Sequence, residues 1–368
     1  MGCASMRVVR PFRMKRTVPL VSFESFVFEE SVTAPERPIW LTESDVVSMM
    51  DISDAIRALD AGLRAEARGA ALNMTKTHVE WGGHATLHAI GAVFTQAGFA
   101  GTKTWAHTPG GATPLLILYD ANTGALKAIV EAFALGQMRT AAVSGLATDV
   151  LAPTDADELA LIGTGKQAVP QAAAVAAVRT LKRVRVFGRD AARRTACAAR
   201  VREELGVDAV ETTSVADAVR GARIITCVTR ARDPFLSADL VAGGAHVNAV
   251  GAITPGGAEV TRDLLARCTE IVADSVAQAK RLSSELIGYF TDAPGGWGRL
   301  RSLADVVSSG KRRGPDDNLT LFKSLGTGVS DLSLGTEIYR RAVAAGVGRA
   351  FDPPRNAAPR LRPAKMPT

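Results

Sequence analysis

The sequence predicts an α/β protein: a doubly wound parallel sheet suited to a dinucleotide, preceded by a smaller sheet-rich region. Three observations predict it. Residues 159–162 are a short apolar run that ends in Gly163-Thr164-Gly165-Lys166-Gln167-Ala168 and opens into an alanine-rich segment, the pattern of a buried strand, a tight turn and the start of a helix. Downstream, residues 183–187 alternate as a second strand, a helix runs through 204, and 209–211 give a third strand, the spacing of a βαβ sheet. Upstream, strand-like pieces crowd together at 73–79, 87–94, 101–106, 114–119 and 126–131.

The glycine turn carries the first functional expectation. Gly163 and Gly165 let the backbone turn sharply and approach a pyrophosphate, and Ala168 is small where helix and strand pack. Thr164, Lys166 and Gln167 fill the same turn, and the helix behind it, expected over 169–180 with Pro170 tolerated in its first turn, offers free N–H groups to the phosphates. A strand over 224–229 follows, and its end, at Thr226, Val228 and Thr229, is expected to approach the adenosine.

Composition excludes several classes. With 368 residues, 47% hydrophobic and 22% charged, the chain is long enough for two cores and has the balance of a soluble globular protein. No apolar stretch reaches the roughly 18 residues that span a bilayer, so no membrane association is expected. The net charge of +7 sits in the tails: Arg7, Arg10, Arg13, Lys15 and Arg16 face no acid in the first twenty residues, and Arg355, Arg360, Arg362 and Lys365 face only Asp352 at the end. The body is close to neutral and lacks a basic helix or an RNA-binding aromatic signature, so no nucleic-acid partner is expected. Cys3, Cys197, Cys227 and Cys268 stand far apart without a zinc spacing, and read as reduced thiols of a cytoplasmic protein. His84 and His88 are four apart on a strand-like stretch, which disfavours a shared metal, and none is expected.

In chain order, residues 1–37 read as a disordered basic extension. Thr42 caps a short helix, and Ser53 caps a longer one whose Ile56, Leu59 and Leu63 recur at helical spacing until Gly69. The stretch 120–124 is a hairpin turn with Gly124 available for positive φ. A helix runs on through 150, with Arg139 and Thr140 expected at its entry, where a guanidinium and a hydroxyl beside free N–H groups suit an anion. Residues 351–368 lack the apolar content to pack and are expected to be disordered.

Five motifs in order extend this reading: Gly101-Thr102-Lys103-Thr104, Met138-Arg139-Thr140-Ala141-Ala142, the glycine turn, Ala245-His246-Val247-Asn248-Ala249-Val250-Gly251-Ala252, and Leu321-Phe322-Lys323-Ser324-Leu325-Gly326. Together, over residues 40–345, they resemble the ornithine cyclodeaminase/μ-crystallin family. The resemblance implies a homodimer in which a Rossmann NAD(P)-binding domain (151–324) is inserted into a smaller α+β substrate and dimerisation domain (38–150 plus 325–350), with a return helix near 329–347. It implies Lys103 and Arg139 as catalytic and carboxylate-binding residues, with Val250, Gly251, Ser324 and Gly326 near the nicotinamide. An upstream arginine usual in the family aligns with Lys76, a point charge in place of a bidentate fork. His78 and His107 are candidate pocket residues.

Two further positions shape the functional expectation. Family members that cyclise diamino acids, and the archaeal-type alanine dehydrogenases, carry an aspartate after the Val-Gly of the fifth strand; here Ala252 stands there and cannot orient an ammonium or move a proton. That favours an NAD(P)H-dependent reductase of a 2-imino acid, or the reverse amino-acid dehydrogenation, over a cyclodeaminase with tightly held NAD or a non-catalytic crystallin-like protein. The proton then comes from the lysine, a histidine or water. At the end of the second strand Gly188 occupies the acid's expected place and Arg189, Arg193 and Arg194 follow, which favours NADP(H) over NAD(H); Asp190 is the competing ribose acceptor.

Overall fold

A computed structural model of the chain describes residues 37–83 and 85–362. All but the last residue of the expected N-terminal extension, His84 and residues 363–368 lie outside the described residues. Residues 351–362 carry neither helix nor strand and are mostly exposed.

The first sheet is built from β1 (Ile39–Leu41), β2 (Ala71–Asn73), β3 (Thr77–Trp81), β4 (Ala85–Phe94), β5 (Phe99–Thr108), β6 (Gly111–Ala112), β7 (Leu115–Asp120) and β8 (Leu126–Glu131). Its backbone path runs β1-β8-β7-β5-β4-β2, with β3 paired to β4 and β6 to β5. All these pairs are antiparallel except β1 with β8. Alternation decides the faces: Ile90, Ala92 and Phe94 of β4 and Leu116 and Leu118 of β7 point into the core, while Val79, Trp81 and Leu87 point out and stay exposed. One expected strand over 73–79 is in fact two, because residues 74–76 leave the ladder between β2 and β3.

Two helices precede this sheet's main strands. Thr42 caps α1 (Glu43–Met49) in a capping box with Asp45. The cap of α2 (Ile52–Ala67) is Asp51, not Ser53: the Asp51 carboxylate accepts from Asp54 N at 2.7 Å and Asp54 reaches back to Asp51 N. This reciprocal pairing satisfies two orphan donors at once, which starts the helix earlier than a serine hydroxyl would. Gly69, at φ 73, turns the chain after it.

A long helix, α3 (Phe133–Leu151), connects the two sheets, and its residues 141–148 are buried on every face. It has no side-chain cap of its own; Glu43 of α1 accepts from Phe133 N and Ala134 N at 2.6 and 2.8 Å. Helix α4 (Ala168–Ala176) crosses it closely, and a Cβ at Gly145 would lie 2.9 Å from Ala174 O.

The second sheet contains β9 (Glu158–Ile162), β10 (Arg183–Phe187), β11 (Asp208–Glu211), β12 (Ile224–Cys227), β13 (His246–Ala249), β14 (Glu270–Ala273), β15 (Leu300–Ser302) and β16 (Thr320–Lys323). Every pair is parallel, in the order β11-β10-β9-β12-β13-β16-β14-β15. The strand order reverses between β9 and β12, and ligands of open parallel sheets bind outside the strand ends at such a point. Helices α5 (Ala191–Leu205), α6 (Val215–Val219), α7 (Arg262–Arg267), α8 (Val276–Leu282), α9 (Ser284–Phe290) and α10 (Leu303–Ser309) accompany it. The α/β class with a parallel Rossmann-like sheet is as expected.

After β16 the chain re-enters the first sheet as α11 (Gly328–Ala345), and β17 (Arg349–Ala350) closes antiparallel on β1. Helix α11 lies so near β4 that a Cβ on Gly328 would stand 1.8 Å from Gly91 O. Gly328→Ala is therefore expected to destabilise the fold by about 1–3 kcal/mol, the range for forcing volume into a packed interior, read as a lower urea midpoint at unchanged m-value.

Candidate functional site

A cavity of about 1680 Å³ opens at the carboxyl ends of β9, β10, β12 and β13 and reaches the inner face of β4 and β5. Its geometry starts with the glycine turn. Gly163 adopts φ 121, a conformation costly for any residue with a Cβ. A Cβ there would also lie 2.6 Å from Val228 O. Thr164, Gly165, Lys166 and Gln167 line the cavity at the entry of α4. Arg189, Asp190, Arg193, Val228, Thr229, Val250 and Gly251 continue its wall.

The end of β10 is sterically decided. A Cβ on Gly188 would meet the Thr164 side chain at 2.7 Å, so any side chain here, an acid included, would have to displace that threonine. Asp190 is committed to capping α5, where its carboxylate accepts from Arg193 N at 2.9 Å. Arg194 donates to Gly188 O at 2.7 Å and faces Glu211, which leaves the Arg189 and Arg193 side chains at the cavity wall. The turn that opens at Gly163 and the side-chain-free Gly188 beside it fit a dinucleotide.

The other end of the cavity is cationic. Lys103 on β5 and Arg139 on α3 both reach one carboxylate, Asp331 in the first turn of α11: Lys103 Nζ lies 2.5 Å and Arg139 Nε 3.1 Å from its Oδ1. Lys103 and Asp331 are almost wholly buried. Burial pushes the Lys103 ammonium down to about 8, although Asp331 partly restores it. Burial pushes Asp331 up, but Lys103 and Arg139 outweigh it and hold the carboxyl below its ordinary range. Lys76, in the break between β2 and β3, lines the same region; burial and then the Arg139 charge lower its pKa.

Arg139 and Thr140 differ from expectation. The helix begins at Phe133, so both stand in its second turn rather than at its entry. Their amides belong to the helix ladder and the Thr140 hydroxyl donates to Gly136 O at 2.8 Å. Arg139 therefore acts through its guanidinium, which lies over Gly326: a Cβ there would be 2.9 Å from Nη1. Gly326 and Ser324 line the cavity, and Asp274 holds their loop by accepting from Ser324 Oγ, Leu325 N and Gly326 N.

Two predicted residues lie elsewhere. Thr226 is fully buried in the centre of the parallel sheet, where its hydroxyl accepts from Asn248 at 3.3 Å. The strand stops at Cys227, so only Val228 and Thr229 reach the cavity. His78 is not part of the cavity wall; it stacks on His88, whereas His107 does line the wall.

The sequence reading missed the acids that organise the site, Asp274 among them. Asp331 sits where first-turn acids commonly favour a helix dipole, and nothing in its local pattern points across 228 residues to Lys103. Glu259 is fully buried and ties two cavity loops together: its carboxylate accepts from Thr229 N at 2.7 Å, Thr229 Oγ1 at 2.8 Å, Gly251 N at 2.8 Å and Ala252 N at 3.3 Å. Glu285 supports this residue from behind, accepting from Glu259 N, Val260 N and the buried Lys323 ammonium. Ala252 is buried in this network and brings no acid to the cavity. Glu259→Gln would turn an amide donor toward a cluster of donors, and is expected to lower unfolding free energy by about 1–3 kcal/mol, measured by urea denaturation. An unchanged midpoint would contradict this clamp.

The comparisons with known proteins agree with this geometry. The sequence model of the ornithine cyclodeaminase/mu-crystallin family matches residues 36–346. A delta(1)-pyrroline-2-carboxylate reductase of Bacillus cereus is 34% identical over 240 residues, 65% of this chain and 74% of that protein. The ketimine reductase mu-crystallin of Mus musculus is 32% identical over 224 residues, 61% of this chain and 68% of that protein. The solved structure of Thermococcus litoralis delta(1)-pyrroline-2-carboxylate reductase in complex with NADH and L-proline superposes with a TM-score of 0.80 at 25% identity, covering 85% of this chain and all of that one. With the family match running through both sheets and the glycine turn, the chain belongs to the ornithine cyclodeaminase/mu-crystallin family.

Proposed function

We propose that this protein is an NAD(P)H-dependent oxidoreductase acting on C–N bonds, which reduces a 2-imino acid to the amino acid or runs the reverse dehydrogenation, and that Lys103, Arg139 and Lys76 anchor the substrate carboxylate. One observation carries the reading: three cations share a cavity with a dinucleotide-type glycine turn, and among the described residues the one carboxylate bonded to Lys103 and Arg139 is Asp331. The relatives' named activities on pyrroline-2-carboxylate and ketimines support it.

The chemistry a bound nicotinamide supplies is a hydride for the imine carbon. The chain's own residues bind, orient and move a proton. Arg139, held by Asp331, presents its guanidinium to a carboxylate, and Lys76 adds a point charge. Lys103, with a pKa near 8, keeps a proton at neutral pH yet releases it readily, which suits a group that protonates the nitrogen during reduction and takes the proton back in reverse. Diamino-acid cyclisation is disfavoured because Ala252 brings no carboxylate and Glu259 is already bonded to four donors.

NADP(H) is the proposed cofactor, supported by Arg189 and Arg193 at the wall and by Gly188, where an acid would strike Thr164. The inserted arrangement, with 151–324 as cofactor domain and 38–150 plus 325–350 as substrate domain, follows the two sheets. A homodimer is proposed on the exposed outer face of the first sheet, where Val79 is 64%, Leu87 50% and Trp81 46% exposed. No described helix is long and apolar enough to cross a membrane, and the described cysteines are buried free thiols, which supports a cytoplasmic setting.

The direct test follows NADPH and NADH at 340 nm with pyrroline-2-carboxylate, piperideine-2-carboxylate, and 2-oxo acids plus amines. Consumption with NADPH preferred is expected, and Arg189→Ala should raise KM for NADPH about tenfold while leaving KM for NADH nearly unchanged. Ammonia release from a diamino acid without net cofactor consumption would overturn the reductase reading. A second measurement concerns pH. The reductive kcat should fall as pH rises through about 8, where Lys103 loses its proton. Asp331→Asn should move that limb to lower pH, because the Asp331 charge and hydrogen bond raise the Lys103 pKa; movement to higher pH would remove Lys103 from the proton-transfer role.

A further inference from the structure

Beside the three cations, strands β3, β4 and β5 carry a ladder of rings that carboxylate anchoring does not use. His78, His88 and Trp105 occupy directly opposed positions in the sheet register. Their rings stack: His78 and His88 have centroids 5.5 Å apart at 23°, and His88 and Trp105 4.6 Å apart at 14°. Trp105 stands two residues beyond Lys103 on the same face of β5, lines the cavity, and has the Lys103 ammonium 5.1 Å from its ring centroid. A substrate whose carboxylate sits on Lys103 has this ring within reach of its side chain.

The middle ring of the ladder, His88, is uncharged. His88 hydrogen-bonds Thr86 through Nε2, while its Nδ1 is buried without a partner. Burial, and after it the charges of Lys76, His78 and His107, push His88 down to about 4, so the imidazole is neutral at physiological pH. The middle of the stack is then a flat, weakly polar slab.

We propose that the Trp105 ring, backed by the stacked His88 and His78 rings, forms the side-chain wall of the substrate end, and that this wall selects 2-imino acids with a flat, uncharged side chain, aromatic ones above all. The inference rests on the imine-reductase reading. Electrostatics bears on the alternatives. A side chain ending in an ammonium or guanidinium would meet the positive charges of Lys76, Lys103 and Arg139, and Asp331 is already bonded to Lys103 and Arg139. One ending in a carboxylate would be drawn to those cations, but against Trp105 it would meet a ring face, which carries the negative lobe of the aromatic quadrupole. A planar apolar group stacks on Trp105 without either cost, and an aromatic pair gains more than its buried area alone supplies.

The test compares kcat/KM for methylamine imines of phenylpyruvate, pyruvate, 2-oxoglutarate and 5-guanidino-2-oxopentanoate at saturating reduced cofactor, with pyrroline-2-carboxylate as a common reference. The phenylpyruvate imine is expected to lead the other three by about tenfold or more. Trp105→Ala should bring the ratio of phenylpyruvate to pyruvate imine toward one, and Trp105→Phe, which keeps a ring on the wall, should preserve it. A wild-type preference for the pyruvate, 2-oxoglutarate or guanidino imine overturns the inference, as does a ratio that Trp105→Ala leaves intact. If pyrroline-2-carboxylate is reduced while the aromatic imine is not favoured, the inference alone fails. Reduction of no imine at all overturns the reductase reading and this inference with it. The wild-type panel decides the matter even if the alanine variant does not fold.

Discussion

The buried ion cluster of Lys103, Asp331 and Arg139 is the constraint on which the site depends. A lone ammonium or carboxylate at that depth would be prohibitively costly, so each charge holds the others in place. The three residues come from β5, α11 and α3, and Lys103 and Asp331 are 228 positions apart. Their meeting requires the chain to leave the first sheet, build the whole parallel sheet, and return. Glycines make that return possible: Gly328 passes over Gly91 of β4, and Gly326 lies under the Arg139 guanidinium. The cluster also leaves Lys103 poised, because burial pulls its proton affinity down toward neutrality while Asp331 keeps it from falling further.

A second buried charge system organises the other half of the cavity. Lys323, Glu285 and Glu259 run from the centre of the parallel sheet to the loops after β12 and β13. Glu259 gathers four donors from those two loops, which fixes their spacing without placing a charge in the cavity. Loops normally carry the mobility of a binding site; here a saturated carboxylate binds two of them together. Such a network answers how the chain tolerates Ala252, since the acid nearest to that position serves the backbone rather than the substrate.

The elements most legible in the sequence were those set by local chemistry. The glycine turn, β9, β10, α5, β11 and the Gly124 hairpin could be read because periodicity and special backbone angles are local properties. Lys103 and Arg139 were legible through ordered motifs and Lys76 through its alignment with the family's upstream arginine, and the three meet at one end of the cavity. The misplaced features have physical causes. Ser53 lost the cap to Asp51 because a reciprocal carboxylate pair satisfies more donors; Arg139 moved inside its helix because Glu43, ninety residues earlier, caps the first turn from another element. Thr226 was drawn into the sheet interior because the strand ends one residue beyond it, and its hydroxyl is spent on Asn248.

The amino-acid sequence by itself determined the parallel sheet, the phosphate-type turn, the cationic residues and the absence of an acid at 252. It did so because strand period, glycine conformation and residue chemistry act over a few neighbours. Only the tertiary structure decided that Asp331 binds the two principal cations, that Glu259 clamps two loops, that Thr164 crowds the position of Gly188, and that His78, His88 and Trp105 stack into one ladder. Each of these depends on strand register or helix approach between segments distant or separately folded in the chain, and burial, which gives those contacts their strength, exists only once the sheets and helices have packed.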